Sequence, residues 1–225
     1  MSEQEEQIIN YDKSKEYWEK VEATNSGMLG NITYVSLSDI QFNANFLKQI
    51  FKLKPSPGRN RCIDCGCGIG RITKNLLIHE FKKVDLLEQD AKFCEKARET
   101  FKNCDQLGEI FNIGLQDFNC ETMPKYDLFW IQWVLLYLPD DDLVEFFLKI
   151  SKCLDTNGII IVKENVTKGN EAVYDTEDAS VTRTISAFKD IFKRANLRIV
   201  KDMKQTNFPK DLFPVHIFAL RPIIK

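Results

Sequence analysis

The run Cys62-Ile-Asp-Cys-Gly-Cys-Gly-Ile-Gly-Arg-Ile-Thr-Lys74 carries the chain from a short apolar strand, through a Gly-x-Gly-x-Gly turn, into a helix over about residues 71–81. Gly66, Gly68 and Gly70 lack a Cβ, so the backbone can turn with positive φ and a ligand can lie against the main chain. The helix that follows aims free N–H groups and its positive dipole end at that ligand. A dinucleotide-binding loop would place a third glycine at position 71, where this chain has Arg71. The spacing therefore predicts a smaller nucleoside ligand and argues against a nicotinamide-dependent oxidoreductase. Lys82-Lys-Val-Asp-Leu-Leu-Glu88 is a second strand ending in an acid, and Glu88 stands twenty positions after Gly68. A carboxylate there accepts hydrogen bonds from ribose hydroxyls.

The chain then alternates strands and helices. A helix is expected over residues 90–104, with Phe93, Ala97 and Phe101 on one face, and a third strand over 109–113, closed by Gly114-Leu-Gln-Asp-Phe118. The nearly all-apolar run 126–131 suits a parallel strand covered on both faces. Pro139-Asp-Asp-Asp142 starts a helix continuing through Phe146, Phe147 and Ile150, and Leu154-Asp-Thr-Asn-Gly158 is a turn before a fifth strand over 159–162. A helix over 181–195 turns Ile185, Phe188 and Phe192 inward, and the runs 197–200 and 215–220 form an antiparallel edge hairpin. Ahead of the core, residues 11–21 read as an amphipathic helix and Thr24-Asn-Ser-Gly-Met-Leu-Gly30 as a flexible loop. The expected fold is α/β: a Rossmann-like, doubly wound, seven-stranded and mostly parallel sheet with an N-terminal helical extension. Residues 1–40 would form the helix and lid segment, and residues 41–225 a single compact unit.

A chain of 225 residues with 44% hydrophobic and 28% charged residues can bury one good-sized core. A net charge of −2 without a basic cluster predicts no electrostatic grip on nucleic acid or membrane. No apolar run reaches transmembrane length, and Met-Ser-Glu-Gln-Glu-Glu-Gln7 lacks the features of a signal peptide, so a soluble intracellular monomer is expected. Seven cysteines, an odd number without a secretory signal, predict reduced thiols. Cys62, Cys65 and Cys67 lie across a strand and a turn where side chains diverge, and His79 and His216 are the only imidazoles, so no metal site is expected.

Ligands of open α/β sheets bind beyond the carboxyl ends of the strands. Gly66 and Arg71 follow strand one, Glu88 with Gln89 and Asp90 strand two, and Leu115 and Gln116 strand three. Gln132 and Trp133 follow strand four and Asn165 strand five. Polar or aromatic groups at all these strand ends point to one binding site.

The glycine run from Asp64 to Lys74, taken with Gly114-Leu-Gln-Asp-Phe118 and Trp130-Ile-Gln-Trp133, resembles the protein α-N-terminal methyltransferases, class I S-adenosylmethionine-dependent enzymes. Tyr17-Trp18, Gly27-Met-Leu-Gly30, Asn157-Gly-Ile-Ile-Ile-Val-Lys163, Asn165, Asp178-Ala-Ser-Val181 and Phe218-Ala-Leu-Arg221 match in the same order, so the likeness spans residues 11–221. It implies transfer of methyl groups to the free α-amine of a protein beginning Xaa-Pro-Lys or Xaa-Pro-Arg, in the cytoplasm or nucleus. The cofactor S-adenosylmethionine would meet Gly66, Gly68, Arg71, Glu88, Gln89, Asp90, Leu115, Gln116 and Gln132. By the same resemblance Asn165 holds the amine, Asp178 is the acid-base carboxylate, and Tyr137 stands where the animal enzymes carry histidine. Trp18, Leu29 and Trp133 would wall the substrate channel, with Asp175, Ser180 and Phe213 also facing the peptide and Phe213 replacing a family tyrosine. The acidic stretch Glu171, Asp175, Glu177 and Asp178 would attract the substrate's basic third residue. Two alternatives share the core: a small-molecule class I methyltransferase, and a non-catalytic peptide- or cofactor-binding relative.

Overall fold

The computed structural model describes residues 9–223. The leader reading of residues 1–7 and the outer ends of the two expected units therefore lie outside the described residues. The helices are α1 (Tyr11–Lys20), α2 (Asn25–Met28), α3 (Ser36–Ile50), α4 (Ile78–Glu80), α5 (Ala91–Thr100), α6 (Asp140–Lys152) and α7 (Ile185–Arg194). The strands are β1 (Arg61–Cys65), β2 (Lys83–Leu87), β3 (Leu107–Phe111), β4 (Tyr126–Gln132), β5 (Leu154–Asn165), β6 (Val173–Asp175), β7 (Ser180–Thr182), β8 (Leu197–Lys204) and β9 (Val215–Pro222).

Seven strands form one sheet in the order β3-β2-β1-β4-β5-β9-β8, and β6 pairs with β7 outside it. Strands β1 to β5 pair in parallel, while β9 runs antiparallel to β5 and β8 antiparallel to β9. The period of two along each strand divides the core. Phe129, Ile131, Ile160 and Val162 face one apolar cluster, shared with Phe146 and Phe147 of α6 and Phe188 and Phe192 of α7. Leu128, Trp130, Ile159 and Ile161 face the other, shared with Phe46, Leu47 and Ile50 of α3. With strand order reversing between β1 and β4, the carboxyl ends of those strands open a crevice.

Several boundaries differ from expectation for identifiable reasons. α5 ends at Thr100, earlier than expected, and its start is set by Asp90, whose carboxylate accepts the N–H groups of Lys92 and Phe93 at 2.8 and 3.3 Å. β3 lies two residues earlier than expected. The helix expected from residue 181 begins at Ile185: Thr184 caps it by accepting the Ala187 N–H at 3.0 Å, and Val181 instead pairs with Tyr174 in the β6–β7 hairpin. The expected turn at residues 154–158 is contained within β5, where the ladder jumps from Tyr126↔Leu154 to Leu128↔Ile159 and Asn157 takes φ 63°. The expected flexible loop at 24–30 contains α2, capped by the Thr24 hydroxyl. Helix α3 spans the expected division between residues 40 and 41, and its apolar face belongs to the main core.

One cysteine expectation is corrected: Cys120 and Cys153 form a disulfide, with Cα atoms 5.8 Å apart. The other five cysteines are free. Burial pushes the Cys62, Cys65 and Cys67 thiols well above their ordinary range, which leaves them unreactive. Among the described residues no group of three or more His, Cys, Asp or Glu is arranged to hold a metal, and no helix is long and apolar enough to cross a membrane.

The N-terminal helix α1 is fastened at both ends. The Tyr11 hydroxyl donates to the Asp142 carboxylate on α6. At the other end, the Lys92 ammonium donates to the carbonyls of Trp18, Glu19 and Val21 at 3.2, 2.8 and 2.6 Å, which suits a cation at a helix C-terminus. Lys92 is exposed, so water offsets much of this gain. Lys92→Met is expected to raise amide exchange across α1 by up to about tenfold without changing exchange in the central strands. Unchanged exchange in α1 would show that the Tyr11–Asp142 bond and the packing of Trp18 hold the helix without Lys92.

Candidate functional site

A cavity lies at the carboxyl ends of the parallel strands. Gly66, Gly68 and Arg71 line it after β1, Glu88 and Gln89 after β2, Leu115 and Gln116 on a 3-10 turn after β3, and Gln132 and Trp133 at the end of β4. Trp18 from α1 and Tyr137 from the 3-10 turn after β4 close its other side. Asp90 is not in the wall: one oxygen caps α5 and the other is buried without a partner. Leu29, Asn165, Asp175, Asp178, Ser180 and Phe213 also lie outside the wall.

The glycine turn must be as narrow as it is. Gly66 has φ 67°, and a Cβ there would stand 2.5 Å from Val134 Cγ2; Gly68 has φ 55°, and a Cβ would stand 2.5 Å from Met28 Sδ of α2. Both contacts are shorter than van der Waals packing allows, so the turn and the N-terminal segment approach backbone to side chain. Glu88 fixes the turn from β2. Its carboxylate accepts the Gly68 N–H at 2.9 Å and the Asp90 N–H at 2.9 Å, while burial raises its pKa. Asp64, which accepts the Thr73 hydroxyl at 2.6 Å, is pushed up to about 7 by burial, with Thr73 and Arg71 opposing the shift.

The floor of the site is a buried polar cluster, of which sequence reasoning placed Arg71 and Gln132 in the site but not Asp39, Asn43 or Lys163. Asp39 on α3 pairs with Arg71 Nη2 at 2.9 Å and with the Lys163 ammonium of β5. It also accepts from Gln132 Nε2 at 3.0 and 3.1 Å, and Asn43 joins Gln132 to Lys163 at 3.0 and 2.6 Å. Burial lowers the Lys163 pKa to about 8, against the raising effect of Asp39. Trp133 sits over this cluster, with Arg71 Cζ and Lys163 Nζ at 5.4 and 5.9 Å from its ring. Its backbone is left-handed, φ 56°. Glu164 holds the segment that follows, accepting the N–H groups of Val134 and Leu135 at 2.9 and 2.8 Å, and burial raises it to about 7. Arg183 clamps the same segment by donating to the carbonyls of Leu135 and Leu138 and to the Asp140 carboxylate. Glu164 and Arg183 were likewise unseen in the sequence.

At the mouth, the Tyr137 hydroxyl donates to Asp178 Oδ2 at 3.0 Å, and Asp178 Oδ1 accepts the Ser180 N–H at 3.1 Å. Asp178 thus meets the cavity through Tyr137. Burial, and then the Asp178 charge, push the Tyr137 phenol well above its ordinary range, so it is a neutral donor. Trp18 packs edge-on against Tyr137 and Phe93. Tyr17 beside it is raised by burial and by the charges of Asp178, Glu177 and Asp175, so α1 lies in the field of an acidic hairpin. Phe213 lines a separate open groove with Glu171 and Val173. Asn165 ends β5 opposite Val215.

A family model described as AdoMet dependent proline di-methyltransferase matches residues 5–221. Alpha N-terminal protein methyltransferase 1 of Drosophila melanogaster is 45% identical over 219 residues, covering 96% of this chain and 77% of that protein. N-terminal Xaa-Pro-Lys N-methyltransferase 1 of Xenopus tropicalis is 38% identical over 220 residues, covering 96% of this chain and 97% of the relative. The solved structure of a SAM-dependent methyltransferase from Leishmania major has a TM-score of 0.88 at 38% identity, over 94% of this chain and 82% of that one. The fold alone is shared with Haemonchus contortus phosphoethanolamine N-methyltransferase 1, at TM-score 0.74 and 17% identity over 95% of this chain and 49% of that one.

Proposed function

Because the chain belongs to the AdoMet-dependent proline di-methyltransferase family, we propose that it methylates the free α-amine of polypeptides beginning Xaa-Pro-Lys or Xaa-Pro-Arg. The observation that carries this reading is a single cavity that runs from the glycine turn and Glu88 to a mouth of Trp18, Trp133 and Tyr137, with Asp178 behind.

The residues fit S-adenosylmethionine. Glu88 offers a buried acceptor beside two positive-φ glycines, where ribose hydroxyls would reach it. Gln89, Leu115 and Gln116 complete the nucleoside end from the wall, and Asp90, behind it, keeps one buried oxygen without a partner as an acceptor for a ligand or water. Arg71 and Gln132 serve the amino-acid end. When bound, the cofactor supplies an electrophilic sulfonium methyl.

The rest is work for this chain's own groups. An α-amine has a pKa of about 8, so an appreciable fraction is neutral near pH 7 and carries the attacking lone pair. In the proposed arrangement Trp18 and Trp133 wall the channel against water and align the attack, and the peptide path continues beyond the cavity, where Asn165 holds the amine and Leu29 borders the path. Asp178 takes the proton released as the nitrogen gains its methyl group, and Tyr137, neutral throughout, orients Asp178 by its hydrogen bond. Asp175 and its hairpin neighbours attract the basic third residue, with Ser180 and Phe213 on the flanks of the peptide path. The field felt by Tyr17 supports this placement of negative charge.

Mass spectrometry of a Ser-Pro-Lys-starting peptide incubated with the protein and S-adenosylmethionine is expected to show added methyl masses, and none on the same peptide with its α-amine acetylated. Equal methylation of both peptides, or of neither, would reject the α-amine as acceptor.

A further inference from the structure

Arg71, Lys163 and Asp39 make an unequal cluster: two cations share one carboxylate. The side chains of Asp39 and Lys163 are fully buried and that of Arg71 is 6% exposed. Asp64, which feels the Arg71 charge without pairing with it, already serves the Thr73 hydroxyl, and the remaining partners, Gln132 and Asn43, are neutral. Buried charge left without a counter-charge is costly, so such a cluster favours an anion. Only Arg71 of the three lines the cavity; Lys163 and Asp39 stand behind it.

We propose that Lys163 is a positioning residue: by neutralising Asp39 from beneath, it leaves the charge of Arg71 free for the amino-acid carboxylate of the bound cofactor. This rests on the reading of the cavity as an S-adenosylmethionine site. Without Lys163, Asp39 would pair with Arg71 alone, and the cluster would offer no net charge to a carboxylate. At pH 7 the ammonium, with a pKa of about 8, is still mostly protonated, as the role requires. The position of Lys163 and Arg71 beside Trp133 extends the consequence to the wall between the two substrates.

The test compares two ligands by calorimetry: S-adenosylmethionine, and 5′-methylthioadenosine, which shares the nucleoside and sulfur but lacks the carboxylate. Lys163→Met is expected to weaken S-adenosylmethionine about tenfold or more and to leave methylthioadenosine within about twofold. In the double variant Asp39→Asn with Lys163→Met, the single positive charge of Arg71 returns, so S-adenosylmethionine affinity is expected within about threefold of the wild type. A purely structural lysine predicts the opposite pattern, with both ligands weakened together and the double variant no better than the single one. Either of those results overturns the proposal. Should Lys163→Met not fold, the double variant decides alone, since a selective loss of S-adenosylmethionine there would also overturn it. Wild-type protein that binds neither ligand would instead reject the cofactor reading of the cavity.

Discussion

Replacing Glu88 by alanine is expected to weaken S-adenosylmethionine binding by about 10²–10⁴-fold. The proposed ribose contacts are two hydrogen bonds to a charged acceptor, each worth roughly 1.5–3 kcal/mol. Glu88 is also the acceptor for the N–H groups of Gly68 and Asp90, so alanine releases the glycine turn and the start of α5 together. Glu88→Gln separates these effects: its amide oxygen can keep one backbone contact, and its loss should be the smaller of the two. The pH dependence has a definite sign. Burial raises the Glu88 pKa, so the carboxylate is protonated at a higher pH than an exposed glutamate, and binding weakens as pH falls through that raised value. Calorimetry on a folded Glu88→Ala protein giving affinity within about threefold of the wild type would remove Glu88 from the site.

The parts of this molecule that were legible in its sequence are those whose chemistry is local. The glycine turn announces itself because positive φ at Gly66 and Gly68 is expensive for other residues. Glu88 follows at a distance fixed by one helix and one strand. β4 reads as a buried parallel strand because residues 126–131 are nearly all apolar, and all seven residues of the strand are indeed buried. Helix α3 escaped because Asp39 and Asn43 interrupt its apolar face, and their partner Lys163 lies more than a hundred residues away. Polar residues on a buried face become intelligible only with the tertiary contacts that satisfy them. The same holds for Glu164, whose bonds go to the backbone of a segment thirty residues earlier. The Thr184 cap, by contrast, was visible in principle: a threonine before an apolar helix face marks a start, and weighing it would have freed Val181 for the hairpin. Cys120 and Cys153 illustrate a different limit, since an odd cysteine count speaks to the whole set and not to one pair that the fold brings together.

Asp178→Asn is expected to lower kcat by about 10²–10⁴-fold, the usual span of a general base, with a much smaller change in peptide KM. Asparagine keeps the size of the side chain: its Oδ1 can still accept the Ser180 N–H, and its Nδ2 can donate to the Tyr137 hydroxyl oxygen where Oδ2 accepted from it, so the hairpin should survive. What it cannot do is take a proton. Tyr137→Phe tests the other half of the pair: it removes one orienting hydrogen bond and no basic group, so a loss of about tenfold is expected, roughly the worth of one such bond. The phenol is raised well above its ordinary value and therefore contributes no limb to the pH–rate profile between pH 6 and 9. Tyr137→His should add one, because imidazole titrates near 6.5 and is basic above that. Its neutral form can share the proton that Asp178 alone would take, so the histidine variant should partly rescue Asp178→Asn, and more fully as pH rises from 6 to 8. Near-normal turnover of Asp178→Asn across pH 6–9 would reject the carboxylate as the base. Asp178→Asn with Tyr137→His no faster than Asp178→Asn alone would show that position 137 orients the acid and has no access to the amine.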